Sequence, residues 1–559
     1  MRLAGVDAAR ALARRAASPY RFVTSMAITP PERLRIAPPD IRTADSTVAD
    51  EIAAGYYSFE GKAFHGPGVS PFSITPPSPG WRRTLTGFSW LRHLRPADHL
   101  LAQALVADFL SMRKLSRDDP ALEPAVVARR MISLLSQSPI LLEGADEEFH
   151  DAFMLSLGQS ARLLWRALAS GRTRGADRAL CAIALAQFSV CSDAGRKIAP
   201  QTTRALAAEL NRQILSDGGH ISRNPQVAVD LLLDLLPLRH VIAARGLQAP
   251  DAVLRAIDRM MPMLRMMQHG DGSLALFNGM GATALDRLAN VLAFWDSRGA
   301  APLNAPYSGY QRMEAGDALV LIDAGASPPL EFSENAHAGC LSFEYSLGVE
   351  RVIVNCGAPA PQHVDAREMA RATAAHSTLV LGDRSSARIA PATAKRTLAG
   401  RIVEGPKSTP VERRALEDET TLKLSHDGYL SGFGLIHARE LTLTHDAQTF
   451  AGRDRLLAPE NTTPAGGSVE VVIRFHLHPR LRVEPRGAGL ELTLANGERL
   501  LFEAVGARPE IAESIFFASP GGARKCQQIM LRGAATSNAE VRWSFQRLAP
   551  GAVPPAMDV

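Results

Sequence analysis

The sequence predicts a multidomain α + β protein, with a helical N-terminal half followed by an antiparallel β half. Three observations carry that expectation. At 559 residues the chain is too long for one hydrophobic core, so two or three domains are expected. From about residue 86 to 300, apolar residues recur with helical spacing in segment after segment. Past about residue 305 the period switches to alternation, with turn residues between the runs.

Taken in order, the first 22 residues are Arg-rich but carry Asp7 and have no continuous apolar run. They read as a short amphipathic helix rather than a secretory signal. Residues 20 to about 85 are rich in Pro, Ser and Thr, and so extended. Their aromatics, Tyr56, Tyr57, Phe59, Phe64 and Trp81, argue that this stretch lies on the body of the protein. In the next segment Leu101, Leu105, Phe109 and Met112 share one helical face, and Pro96 suits its first turn. About eight such segments follow one another, with Gly or Pro at nearly every joint. Several are apolar almost all round, as expected for helices buried between neighbours. The pattern suggests paired helices in a layered array, either a solenoid or a closed toroid. Serial strands without long intervening helices, with turn pairs such as Asn496–Gly497, favour an antiparallel sandwich for the second half. The expected domains are an N-terminal extension over 1–85, a helical domain over 86–305 and a β domain over 306–559.

Composition narrows the function. Hydrophobic residues at 46% and charged residues at 21% describe an ordinary globular chain. Lys plus Arg at 62 nearly balances Asp plus Glu at 57, which argues against a nucleic-acid surface but permits a local basic cleft. No run of eighteen apolar residues exists, so no membrane span is expected. Five scattered cysteines without a CxxC pair signal neither a thiolate metal site nor a disulfide framework.

Three clusters could carry chemistry. In DGGHISRNP (217–225), His220 could move a proton while Arg223 holds an anion; the plainer reading is a polar loop between helices. In HGDGSLALFNG, His269, Asp271 and Asn278 occupy a second Gly-rich loop that says little alone. In the third, His337 precedes one strand, Asn355 ends the next and His376 opens another, so two imidazoles and an amide oxygen could converge on a divalent ion. Satisfied polar residues at strand ends would give the same pattern. His476 and His478 alternate along a further strand and so point to one sheet face.

These segments together resemble the heparinase II/III family of polysaccharide lyases. The likeness rests on HAGCLSFEYSLGVERVIVNCG, RATAAHSTLVL, HDGYLSGFGLIHARELTLT and IRFHLHP in that order, with DGGHISRNP and DGSLALFNG in the helical half. It covers most of residues 85 to 550. It implies an (α/α) toroid followed by an antiparallel β-sandwich, and β-elimination of a uronic-acid-containing polysaccharide or oligosaccharide. That reaction needs a group to neutralise the C5 carboxylate, a base for the adjacent proton and an acid for the leaving oxygen. No redox cofactor or nucleotide enters.

The resemblance also marks departures. The Tyr-His pair expected after DGGH reads Val227–Ala228, and the first His of the usual His-Ala-His-Ala-Asp run reads Asn335. His337 and His376 match metal-associated positions, but the Asp expected beside them reads Asn355, so a structural zinc is expected to be weak or absent. The expected catalytic set is therefore His220 as base or acid, Arg223 and Asn224 on the substrate carboxylate, and Asn335 at a position that no longer carries an imidazole. Two functions follow: a lyase on an acidic glycan, or a catalytically silent glycan-binding or scaffold protein. The N-terminus suggests the cytoplasm and the family suggests the periplasm.

Overall fold

The computed structural model describes residues 28–94, 99–112, 115–171, 173–294, 300–395, 397–459, 469–536 and 539–549. The amphipathic segment expected over the first 22 residues lies outside the described residues, as does Pro96. The chain is mixed α and β, helical in its N-terminal region and antiparallel β in its C-terminal region. It forms two compact units, one of residues 28–214, 229–259 and 286–294, the other of 215–228, 260–285 and 300–549.

In the first unit, helix α1 (Ser46–Ala53) leads into a hairpin of β1 (Tyr56–Phe59) and β2 (Lys62–His65), followed by helix α2 (Pro79–Gly87). Ser78 caps α2 by accepting from the Trp81 amide, and Pro79 supplies the fixed φ that a first turn favours. Trp81 is fully buried and its indole N–H donates to the Tyr57 carbonyl at 2.9 Å, which ties the Pro-rich segment to the helices. Helices α3 (His99–Leu110), α4 (Pro124–Leu141), α5 (Glu147–Ser170), α6 (Ala176–Cys191) and α7 (Ala199–Gln213) come next. Helix α5 starts where Asp146 accepts from the Phe149 amide, carries Glu147 and Glu148 at its positive end, and stops at Gly171 in the left-handed region. Helix α6 is rich in alanine and buried along most of its length, which lets α4, α5 and α7 pack closely around it. Helices α8 (Pro225–Ala244), α9 (Asp251–Met266) and α10 (Leu285–Phe294) complete the series. Among the described residues, no helix is long and apolar enough to cross a membrane.

The second unit is built on two antiparallel sheets, with a separate short pair, β9 (Arg388–Ile389) and β10 (Ile402–Glu404). One runs in the order β19 (Pro509–Phe516), β20 (Arg524–Ala535), β15 (Val469–Leu477), β7 (Glu350–Val354), β6 (Phe343–Leu347), β5 (Ala318–Asp323), β4 (Tyr310–Ala315), β3 (Asn304–Ala305), with β8 (Leu379–Leu381) also on β15. The other runs β11 (Val411–Ala415), β12 (Glu419–His426), β13 (Ile436–Thr444), β14 (Thr449–Leu457), β21 (Glu540–Arg547), β18 (Arg499–Val505), β17 (Gly489–Thr493), β16 (Arg482–Arg486). The Asn496–Gly497 turn joins β17 to β18, with Gly497 at φ +90°. Inward-facing residues of both sheets form one apolar cluster. Its centre is aromatic: Phe343 and Phe475 of one sheet meet Phe450 and Trp543 of the other, with Phe343–Phe450 centroids 5.2 Å apart and Phe475–Trp543 centroids 4.9 Å apart. Such pairs add to the burial of their large apolar area.

Phe343→Ala should therefore lower the unfolding free energy by about 3–5 kcal/mol in denaturant titrations. Val505→Ala, on the far end of β18 and 71% exposed, should stay within about 0.5 kcal/mol of wild type. Equal losses in the two variants would contradict this placement of the core.

Candidate functional site

The second unit brings the three sequence clusters together. The loop bearing His220, Arg223 and Asn224 precedes α8, and the loop bearing His269 and Asn278 follows α9. Both meet the segments that enter β6 and β8.

Asp323, the last residue of β5, is the point on which they converge. It is 2% exposed. One carboxylate oxygen accepts from the Arg223 guanidinium and from the Gly325 amide at 3.3 Å. The other accepts from Asn278 Nδ2 at 2.9 Å. Arg223 and Asn278 both have positive φ, at 63° and 50°, a region that Asn adopts readily but that Arg adopts only when its surroundings hold it there. Arg223 Nε donates to the Ser308 carbonyl at 2.7 Å, and Nη1 to the Gly325 and Ala326 carbonyls at 3.1 Å each. The Tyr310 hydroxyl donates to the Arg223 carbonyl, and its ring lies 4.9 Å from the guanidinium carbon. Every nitrogen of this guanidinium is bonded to protein. Arg223 is thus built as an internal brace, which the expectation of a substrate clamp did not include.

His220 is also enclosed. It is 2% exposed, its Nδ1 lies 2.7 Å from the Ser222 hydroxyl and 3.1 Å from the Ser222 amide, and its ring stands edge-on to Phe332. The amide donates to Nδ1, so the ring proton sits on Nε2. Burial pushes the imidazole pKa down to about 3, which keeps it neutral at physiological pH.

Asn224 and Asn335 meet at Gly279. A Cβ at Gly279 would lie 3.1 Å from Asn224 Nδ2, 3.1 Å from Asn335 Cβ and 2.5 Å from the Asn335 carbonyl, and Gly279 has φ +95°. Only glycine lets these three chain segments close on one another. The Asn335 Oδ1 accepts from Arg367 Nη2 at 2.9 Å, and Arg367 Nη1 donates to the Pro359 carbonyl at 2.8 Å. Arg367 lies on helix α11 (Val364–Ala370), and burial lowers its pKa.

His337 and His376 lie side by side, with Nδ1 of the first 3.0 Å from Nε2 of the second. His376 Nδ1 sits 2.8 Å from the Ala372 carbonyl and so carries a proton. The proton between the rings therefore belongs to His337 Nδ1, and it lies where a shared metal would need lone pairs. Asn355 is fully buried and fixed on both sides. Its Oδ1 accepts from the Ser377 amide at 2.9 Å, and its Nδ2 donates to Glu344 Oε1 at 3.3 Å. Glu344 further accepts from the Asn355 and Leu276 amides, from Arg351 at 2.6 Å and from His269 Nε2 at 3.0 Å. A carboxylate at position 355 would face the Glu344 carboxylate with no donor to offer. Gly339 adds no side chain, because a Cβ there would come within 2.6 Å of the His376 ring. Among the described residues, no group of three His, Cys, Asp or Glu could hold a metal ion.

His476 lies in the same layer, 2% exposed, with Nε2 3.0 Å from the Ala374 carbonyl and Nδ1 2.7 Å from the Ser514 hydroxyl. It braces the chain before β8 rather than meeting solvent. Asp323, Tyr310, Glu344 and Arg367 were not singled out from sequence. The available signal was a carboxylate inside an apolar strand, as in LVLID and LSFEYS, since an unpaired charge is almost never buried.

The fold defines a class, that of polysaccharide-lyase-like proteins. Residues 297–544 match the family model "Heparinase II/III-like, C-terminal". The chain belongs to the heparinase II/III family. A curated relative, FtsZ-localized protein C of Caulobacter vibrioides, is 31% identical over 547 residues, spanning 95% of this chain and 92% of its own. The fold is similar to that of heparinase III, with a TM-score of 0.71 at 13% identity over 95% of this chain and 89% of that one. It is also similar to the heparan sulfate lyase HepC of Pedobacter heparinus, with a TM-score of 0.60 at 16% identity over 97% and 89%.

Elemental analysis of protein purified without added metal should find well under one zinc per chain, unchanged by His337→Ala. One zinc per chain, lost in that variant, would overturn the donor assignment. Stability should also depend on pH with a defined sign. Burial lowers the pKa of His220 to about 3, of His269 to about 4 and of His476 to about 3. An unfolded imidazole protonates near pH 6.5, so below that pH the unfolded state binds more protons than the native state. The stability gained from keeping these rings neutral is complete above about pH 6.5 and is lost as pH falls toward 4. Denaturant unfolding should show a loss approaching about 1.4 kcal/mol per pH unit for each such ring. Equal stability at pH 7 and pH 5 would rule out burial of neutral imidazoles.

Proposed function

We propose that this chain is a catalytically silent heparinase II/III protein, an (α/α) toroid with an antiparallel β-sandwich, that acts by binding beside FtsZ. The observation that carries this reading is the Asn335–Arg367 pair. An elimination needs a group that takes a proton near neutral pH. At the position where the family resemblance places that group, an amide stands with its oxygen already bonded by a guanidinium. An amide does not usefully accept a proton.

The neighbouring residues support the same reading. Val227 and Ala228 offer no exchangeable proton where a Tyr-His pair is expected. His220 is the remaining imidazole of the helix-side loop, and a pKa near 3 makes it a weak base. Arg223 is bonded to Asp323 and to backbone carbonyls, so it has no nitrogen left for a uronate. The relative that matches nearly the whole chain is named for its localisation by FtsZ and not for a lyase activity. A family fold does not carry the family chemistry without its residues.

The competing reading, lyase action on an acidic glycan with His220 as base, is separated by one experiment with two measurements. Incubation with a panel of uronate polymers should give no rise in absorbance at the ultraviolet edge, where the new double bond of an elimination product absorbs. The same preparation should co-sediment with polymerised FtsZ. A rise in absorbance that His220→Ala lowers roughly 10²-fold or more would establish the lyase instead. Failure to co-sediment would remove the FtsZ association.

A further inference from the structure

The second unit contains a cavity of about 620 Å³ that none of His220, Asn224, Asn278, Asn335, His337 or His376 lines. It opens beside two sheet edges, β3 of one sheet and β11 of the other. Its size falls within the roughly 300–1,000 Å³ of small-molecule sites.

The chemistry of its wall is one-sided. No Asp or Glu lines it. Two arginines do, and Arg223 is already paired with Asp323. Arg413, in the middle of β11, is different. Its Nη1 donates to the Arg312 carbonyl at 2.9 Å and the Leu303 carbonyl at 3.3 Å, which fixes the guanidinium plane without neutralising it. Its Nε and Nη2 have no partner among the described residues, and no carboxylate pairs with it there. An anchored guanidinium with one edge open matches a carboxylate or phosphate through two parallel hydrogen bonds.

A second observation is independent of that charge. The side chains of Asn304, Ser327 and Thr409 line the same wall, and their amide and hydroxyl groups can exchange hydrogen bonds with the hydroxyls of a ligand. Tyr307, 67% exposed, and the rings of Pro328 and Pro329 supply flat apolar faces beside these groups.

From an open guanidinium, neutral polar side chains and apolar rings on one cavity, we infer a second binding site, one that takes a small hydroxylated anion. The shared chemistry is a sugar ring bearing a phosphate or a carboxylate: the anion on Arg413, hydroxyls on Asn304, Ser327 or Thr409 and a ring face against Tyr307. The site stands whether or not the chain cleaves glycans, because it shares no residue with the Asn335–Arg367 pair.

Isothermal titration calorimetry of the full chain at low salt tests it, with glucose 6-phosphate and glucuronate as hydroxylated anions. Inorganic phosphate, acetate and glucose are the controls. At least one hydroxylated anion should bind ten times more tightly than its simple anion and than glucose, and whichever binds identifies phosphate or carboxylate as the source. Arg413→Gln should weaken that binding at least tenfold. Tyr307→Ala, on an exposed side chain, should weaken it in a protein whose fold is untouched. Asn335→Ala should bind as wild type does, so loss of binding here is distinct from any result on elimination. No binding of either ligand, simple anions binding as tightly as the sugars, or full binding in both Arg413→Gln and Tyr307→Ala would each overturn the site.

Discussion

Asp323 sits at the end of β5, buried, where it joins two loops to each other and to the strand. Its two oxygens accept from Arg223 and Asn278, both with left-handed backbones. Asn278 Oδ1 in turn accepts from the His337 amide at 3.4 Å, so the brace reaches from the Arg223 loop to the entry of β6. Removing one partner of such a pair leaves an uncompensated buried charge, a loss of about 3–5 kcal/mol. The cost is acceptable to the fold because every donor and acceptor of the Arg223 side chain and the Asp323 carboxylate is met.

The departures from the family pattern form a consistent set once these contacts are considered. Asn355 is held by a donor to Glu344 and an acceptor from Ser377, two bonds of opposite sense that only an amide supplies. Asn335 likewise offers its oxygen to Arg367. His337 and His376 bond to each other. The layer between the loops and the strands is therefore a polar network that ties distant segments together.

The cavity between β3 and β11 has the opposite character. Its arginine is anchored but not neutralised, and amide and hydroxyl side chains share its wall. A guanidinium left without a counter-charge on a cavity wall points outward to an anionic ligand.

The sequence by itself determined the succession of helices and strands, because hydrophobic period is a local property that each segment carries alone. The switch from helical spacing to alternation near residue 305, the cap at Asp146, the stop at Gly171 and the Asn496–Gly497 turn all follow from residues close in the chain. By resemblance it also marked where the expected family residues are absent, at Val227–Ala228, Asn335 and Asn355. What only the tertiary structure decided was what each polar group faces. Arg223 reads as an anion clamp until Asp323, a hundred residues on, takes its guanidinium. His220 reads as a base until the packing around it removes water and lowers its pKa to about 3. Charge pairing and desolvation depend on atoms brought together from distant segments, and no spacing within a segment encodes them.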